Sequence, residues 1–240
     1  YQNCKIMNII GFVPARSGSV GIKKKNLVKL NGKPLIKYTL ETLKKLKKKV
    51  YPFISTNDLK IKKYCESNGL RSNYLRPNNL SASASNIVDV VLHGASWLEK
   101  NQKIKIDAIL LLQPTSPLRH SKEILAAIKL FKKNKINSMA SVSPIKEHPY
   151  ESVEVYKNKN WKFIRKPKRD IYRRQQFINN FYYIDGNFYL LKLNFLKKNK
   201  SFIKENITTF FKLKRSWPVD IDNYEDLAVA SAMLKMKKND

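Results

Sequence analysis

The chain has 240 residues, 42% of them apolar, which is enough to fill the core of one α/β domain and excludes disorder along the whole length. Lys and Arg number 48 against 18 Asp and Glu, a formal net charge of +30 that draws anionic partners. The lysines lie scattered in runs such as Lys44, Lys45, Lys47, Lys48 and Lys49, outside the segments that carry polar motifs, and read as solvated helix faces. A basic nucleic-acid-binding domain is the alternative that this charge raises, but no basic helix or aromatic RNA-binding signature accompanies it, and no nucleic-acid partner is expected. Cys4 and Cys65 stand far apart and read as ordinary thiols of a reducing compartment. No apolar run approaches the ~20 residues of a membrane span, and no long apolar leader precedes the first strand, so a cytoplasmic protein without membrane contact is expected.

In chain order, Ile9 to Val13 is a short apolar run that predicts a buried strand, followed by a loop with Gly18, Gly21 and several cations. Pro34 to Leu46 has helical spacing with Pro at the first turn. Tyr51 to Ser55 predicts a second strand and Ile61 to Ser67 a helix stopped by Asn68-Gly69. Ser85 to Lys100 predicts a further helix, and Ala108 to Leu112 a strand in the middle of a parallel sheet. Lys122 to Phe131 is helical, and Ser138 to Val142 is again a strand. This alternation predicts a doubly wound, mostly parallel α/β sheet. From Pro144 to Tyr183 the rhythm breaks into polar and aromatic sequence, which reads as an arm leaving the sheet. A strand over Gly186 to Leu193 and a helix from about Tyr224 to Lys237 complete the chain.

Ligands of such sheets bind at the carboxyl ends of the strands, and three polar clusters fall there. The first is Pro14-Ala15-Arg16-Ser17-Gly18-Ser19-Val20-Gly21 followed by Lys23-Lys24-Lys25-Asn26. Its glycines let backbone N–H groups approach an anion, and its cations suit a triphosphate. A flexible basic loop explains the same residues. The second is Gln113-Pro114-Thr115-Ser116-Pro117-Leu118-Arg119, a turn stiffened by two prolines, in which Arg119 also suits loop carbonyls. The third is Asp220-Ile221-Asp222-Asn223. Extended alternation puts both carboxylates on one face, as a Mg²⁺ site asks, but Asp222 or Asn223 equally suits capping of the last helix, and spacing alone favours the cap. His93, His120 and His148 lie in unrelated contexts and form no metal or nucleophile arrangement.

Ala15-Arg16-Ser17-Gly18-Ser19-Val20-Gly21 with Lys25-Asn26 resembles the nucleotide signature of the CMP-N-acetylneuraminate synthetases (acylneuraminate cytidylyltransferases). The resemblance continues in family order through Ile54-Ser55-Thr56-Asn57, Leu75-Arg76-Pro77, Asp89 to His93, Leu111 to Arg119, His148-Pro149, Arg174-Gln175 and Asp220-Ile221-Asp222. It implies a single domain over 1–240 with a Rossmann-like nucleotidyltransferase sheet, and an arm over 144–185 that covers a partner's active site in a homodimer. It implies a cytidylyltransferase that joins CTP to a nine-carbon acidic sugar of the sialic acid type, with legionaminic or pseudaminic acid, and CTP or GTP, as alternatives. By the same resemblance Ala15, Arg16, Ser19, Gly21, Lys25, Asn26 and Arg76 bind the nucleotide and Gln113 and Arg174 the sugar. Asp220 and Asp222 bind Mg²⁺, and Arg16, Lys25 and Asp222 are catalytic. Val20 stands where many relatives have Lys, a contact that Lys23 or Lys24 can supply. The whole expectation requires the cationic loop after the first strand and the paired acids near the C-terminus to converge.

Overall fold

The computed structural model describes residues 7–157, 160–166, 180–214 and 218–236. The elements run β1 (Ile9–Pro14), β2 (Lys29–Leu30), β3 (Lys33–Pro34), α1 (Leu35–Leu46), β4 (Tyr51–Ser55), α2 (Leu59–Ser67), α3 (Ile87–Asn101), β5 (Ala108–Leu111), α4 (Ser121–Lys133) and β6 (Ser138–Pro144). They continue with β7 (Val153–Val155), β8 (Trp161–Phe163), β9 (Tyr182–Lys192), α5 (Leu193–Asn199), β10 (Thr209–Lys212) and α6 (Tyr224–Met236). Six strands form one sheet in the order β10-β6-β9-β5-β1-β4. β4, β1 and β5 are mutually parallel, as are β10 and β6, while β9 runs antiparallel to both β5 and β6.

The predicted α/β sheet is therefore present, with a reversed strand inserted between its two parallel parts. Alternation along the strands feeds a core on each face. Ile9 and Val13 pack with Leu40, Leu43, Ile124 and Phe131 on one side. Ile10 and Phe12 pack with Val91, Leu98 and Phe195 on the other. A buried aliphatic side chain contributes about 1.5–3 kcal/mol, so these two layers carry most of the fold's stability.

The helix starts lie where polar caps stand. Asp58 Oδ1 accepts from the N–H groups of Lys60 and Ile61 at 2.7 and 3.4 Å, which starts α2 two residues before the predicted Ile61. Asn86 Oδ1 accepts from Val88 N–H at 2.8 Å and sets the start of α3. α5 and β10 were not among the predicted elements. Within the expected arm, β7 and β8 pair as an antiparallel hairpin, and β9 begins at Tyr182 rather than Gly186. No described helix is long and apolar enough to cross a membrane.

Candidate active site

The loop after β1 is held by its own polar side chains. Ala15 N–H donates to Ser55 O at 2.8 Å, and Ala15 is fully buried in the core. Asn57 accepts from Ser17 N–H at 2.9 Å and donates back to the Ser17 hydroxyl at 3.0 Å. Asn26 Nδ2 donates to Arg16 O at 2.9 Å, closing the loop on itself. Lys24 takes a left-handed conformation at φ 54 and turns the chain into a short 3-10 turn over Lys25–Leu27.

That turn aims Lys25 across the molecule. Its Nζ donates to Ile221 O at 2.9 Å and to Asp222 Oδ1 at 2.8 Å. A third N–H of the ammonium remains for another acceptor. Two packing facts keep the segments together. Ile22 and Ile221 are both fully buried in one cluster with Leu30, Leu35 and Ala230. A Cβ on Gly21 would lie 2.1 Å from Asp222 O, so only glycine permits this approach of the two backbones. With Ile221 turned inward, alternation leaves Asp220 and Asp222 facing away from that cluster.

A cleft of about 250 Å³ opens at the carboxyl ends of β1 and β5. Arg16, Ser19, Lys25 and Asn26 line it from the loop, Arg76 from beyond β4, and Gln113 and Thr115 from the turn after β5. The Arg76 guanidinium donates to the hydroxyl of Ser55 at 3.0 Å and to its carbonyl at 2.5 Å. Burial pushes Arg76 down to about 10, and nearby Arg16 acts in the same direction, although Tyr74 opposes it. Two cations crowded in one cleft favour an anion there. Leu80, Ala82, Ile87 and Val90 give the cleft an apolar wall suited to the face of a ring.

Arg119 joins the turn to β9. It donates to Gln113 O, Asn187 O and the Thr39 hydroxyl at 2.5, 2.5 and 3.0 Å. Burial pushes it down to about 9, against the pull of the Asp220 and Asp185 carboxylates. The carbonyl use of Arg119 is the one its sequence context allowed. Ile221 N–H donates to Thr115 O at 2.8 Å and brings the acids to the same turn.

Asp220 is reached by solvent but walled by protein, and this desolvation raises its carboxyl. Asp222 adds to the rise, while a hydrogen bond from Thr115 and the charges of Arg119 and Lys25 oppose it. Of the two expected capping candidates, Asn223 takes the role, and Asp222 does not. Asp226 N–H donates to Asn223 Oδ1 at 2.8 Å, and Asp226 Oδ2 accepts from Asn223 N–H at 3.0 Å, a reciprocal capping pair at the start of α6. The Asp222 side chain is thereby left for Lys25.

The donor set fits Mg²⁺. Two carboxylates close enough to repel one another face the Lys25 side of the cleft, and among the described residues no third His, Cys, Asp or Glu joins them in a metal-holding group. Mg²⁺ commonly takes one or two carboxylates and fills its remaining positions with phosphate oxygens and water.

Of the predicted residues, Arg16, Ser19, Lys25, Asn26, Arg76 and Gln113 line one cleft, and Asp220 and Asp222 stand at its Thr115 and Lys25 sides. Ala15 lies beneath the loop in the core, and Gly21 packs on Asp222. Arg174 lies outside the described residues. Asp185 and Gly186 stand at the end of the expected arm, and sequence reasoning gave neither a role of its own in the site. The only local signal was a short polar interruption, Asp185-Gly186-Asn187, in an otherwise apolar and aromatic strand.

Residues 10–238 match the family model described as Cytidylyltransferase. The N-acylneuraminate cytidylyltransferase of Streptococcus agalactiae serotype V is 33% identical over 147 residues, which cover 60% of this chain and 34% of that protein. The chain thus spans about a third of the length of that relative. The pseudaminic acid cytidylyltransferase of Campylobacter jejuni is 25% identical over 232 residues, covering 96% of this chain and 97% of that protein. Among solved structures, CMP:2-keto-3-deoxy-manno-octonic acid synthetase in complex with CTP superposes with a TM-score of 0.69 at 14% identity, over 96% of this chain and 99% of that one, a likeness of fold.

Proposed function

As this chain belongs to the cytidylyltransferase family, we propose that it couples CTP to a nonulosonic acid of the sialic acid type, giving the CMP-sugar and pyrophosphate. The observation that carries this reading is the convergence of Arg16, Lys25 and Arg76 with the acids, through the 2.8 Å contact of Lys25 with Asp222. The triphosphate lies against Arg16, Ser19 and Lys25, with Asn26 holding the loop. The base lies towards Arg76 and the apolar wall. Gln113 meets the sugar, as does Arg174, whose position lies outside the described residues.

The sugar's anomeric hydroxyl oxygen attacks the α-phosphorus of CTP. The bond to the bridging oxygen breaks in line, and its electron pair leaves with pyrophosphate. The hydroxyl proton passes to Asp222, directly or through a water. Arg16 and Lys25 face the charge that gathers on the leaving group, so catalysis is positioning and neutralisation. Asp220 and Asp222 would hold Mg²⁺, which supplies further neutralisation of phosphate charge when bound.

Pseudaminic acid is favoured by the near full-length match to the Campylobacter jejuni enzyme, and legionaminic acid shares the same reacting end. A homodimer formed through residues 144–185 is supported by the exposure of Val153, Val155, Trp161 and Phe163, cross-strand pairs of the β7–β8 hairpin that leave apolar surface for a partner to cover. A cytoplasmic location belongs to the same reading, since the reaction draws on a pool of free CTP.

A coupled pyrophosphate assay with CTP or GTP, Mg²⁺ and a panel of N-acetylneuraminic, legionaminic and pseudaminic acids tests the reading. Release that requires CTP and one of these acids is expected. CTP binding without release for any member would overturn it.

A further inference from the structure

Gly186 sits at φ +64 inside an irregular bulge of β9. β6 and β9 pair at Ala140–Tyr189 and again at Val142–Ile184, so Ser141 alone faces Asp185, Gly186, Asn187 and Phe188. The bulge is tied from within. The Ser141 hydroxyl donates to Asp185 Oδ1 at 2.5 Å and accepts from Phe188 N–H at 3.0 Å. The Ser143 hydroxyl donates to Asp185 Oδ2 at 2.6 Å, and Asn187 N–H donates to Asp185 Oδ1 at 2.9 Å. It is also clamped from the site. The Ser116 hydroxyl donates to Gly186 O at 3.2 Å, and Arg119 to Asn187 O. With both flanks fixed, Gly186 cannot slide away from what it faces.

A Cβ at position 186 would lie 3.6 Å from Asp220 Oδ2 and 3.9 Å from Gln113 Oε1. A longer side chain would stand between these two oxygens. Gly32 and Gly69 also have positive φ, yet a Cβ on either meets nothing within 4 Å. Gly186 alone of the three combines a left-handed backbone with an approach to two polar groups of the site. It also lies between the nucleotide cleft, walled by Gln113 and Thr115, and a second cavity of about 460 Å³ walled by Tyr183, Val219 and Asp220.

We propose that Gly186 determines acceptor specificity: its missing side chain keeps open the space between Gln113 and Asp220 through which the reacting end of the acid sugar enters from the second cavity. The Asp185-centred bulge holds that floor in place. This inference rests on the transferase reading above.

Gly186→Asn tests it, because Asn tolerates left-handed backbone while its side chain fills the space. Gly69→Asn is the control for backbone alone. The acceptor KM of Gly186→Asn is expected to rise about tenfold or more, with the CTP dissociation constant, measured without acceptor, kept to within about twofold. Gly186→Ala should shift the acceptor KM in the same direction by less, and serves if the Asn variant folds poorly. Gly69→Asn should change neither. Wild-type acceptor KM in the folded Gly186 variants would overturn the proposal, and so would a parallel loss of CTP and acceptor affinity in both. If the wild-type chain releases no pyrophosphate with any acid of the panel, the transferase reading falls and this inference falls with it.

Discussion

Lys25 Nζ meets Asp222 Oδ1 at 2.8 Å across a separation of 197 residues. The two ends differ in setting: the Lys25 side chain is 11% exposed and that of Asp222 is 78% exposed. A nearly buried ammonium therefore reaches out to an acid that solvent and ligands can approach. Neither the cationic loop nor the C-terminal acids form a site alone. The packing of Ile22 with Ile221 and of Gly21 on Asp222 O makes one site of them.

Asp222→Ala should remove turnover and leave the fold. An ion pair with one so exposed partner contributes at most about 1 kcal/mol, and the capping of α6 by Asn223 and Asp226 stays intact. Pyrophosphate release should fall about 100-fold or more, with the melting temperature little changed. Wild-type turnover in this variant would take Asp222 out of the site.

Gly21→Ala should damage stability and nucleotide binding together. The added carbon would sit 2.1 Å from a backbone carbonyl, which cannot rotate aside. Separating the loop from Asp222 should cost roughly 1–3 kcal/mol, read as a lower denaturation midpoint, and weaken CTP binding in the same titration. Gly18→Ala is the contrast for stability, since its Cβ would lie an ordinary 3.6 Å from Arg16 Nη1.

Cys65 should behave as a core residue. Burial, with help from Glu66, pushes its thiol from 9.0 up to about 12. The folded chain keeps this proton to higher pH than the unfolded chain does. Cys65 therefore leaves stability untouched below about pH 9 and erodes it as pH climbs toward about 12. Iodoacetamide at about pH 8 should spare Cys65 in the folded protein and label it after unfolding, read by peptide mass spectrometry. From about pH 9 upward, the denaturation midpoint of wild type should fall more steeply than that of Cys65→Ala.

Much of the frame was legible because it is written in local periodicity. The apolar run at Ile9 marks a buried strand, the spacing from Leu35 to Leu46 marks a helix face, and alternation around Ile221 places two aspartates on one side. β9 was legible as a strand but not as a reversed one, because alternation is the same in either direction. β10 and α5 are short and gave too few turns or alternations to stand out. Asp222 and Asn223 were interchangeable as caps in the sequence, and the pairing of Asn223 with Asp226 decided between them.

By itself the sequence determined the residue chemistry at each strand end, cations after β1, a stiff polar turn after β5 and paired acids before α6, because each lies within a few consecutive residues. Only the tertiary structure decided that Lys25 reaches Asp222, that Arg119 serves carbonyls, and that Gly186 opens between Gln113 and Asp220. Those relations join residues tens to hundreds of positions apart, and they arise when the sheet order and the burial of Ile22 with Ile221 bring distant backbones together, which no local pattern encodes.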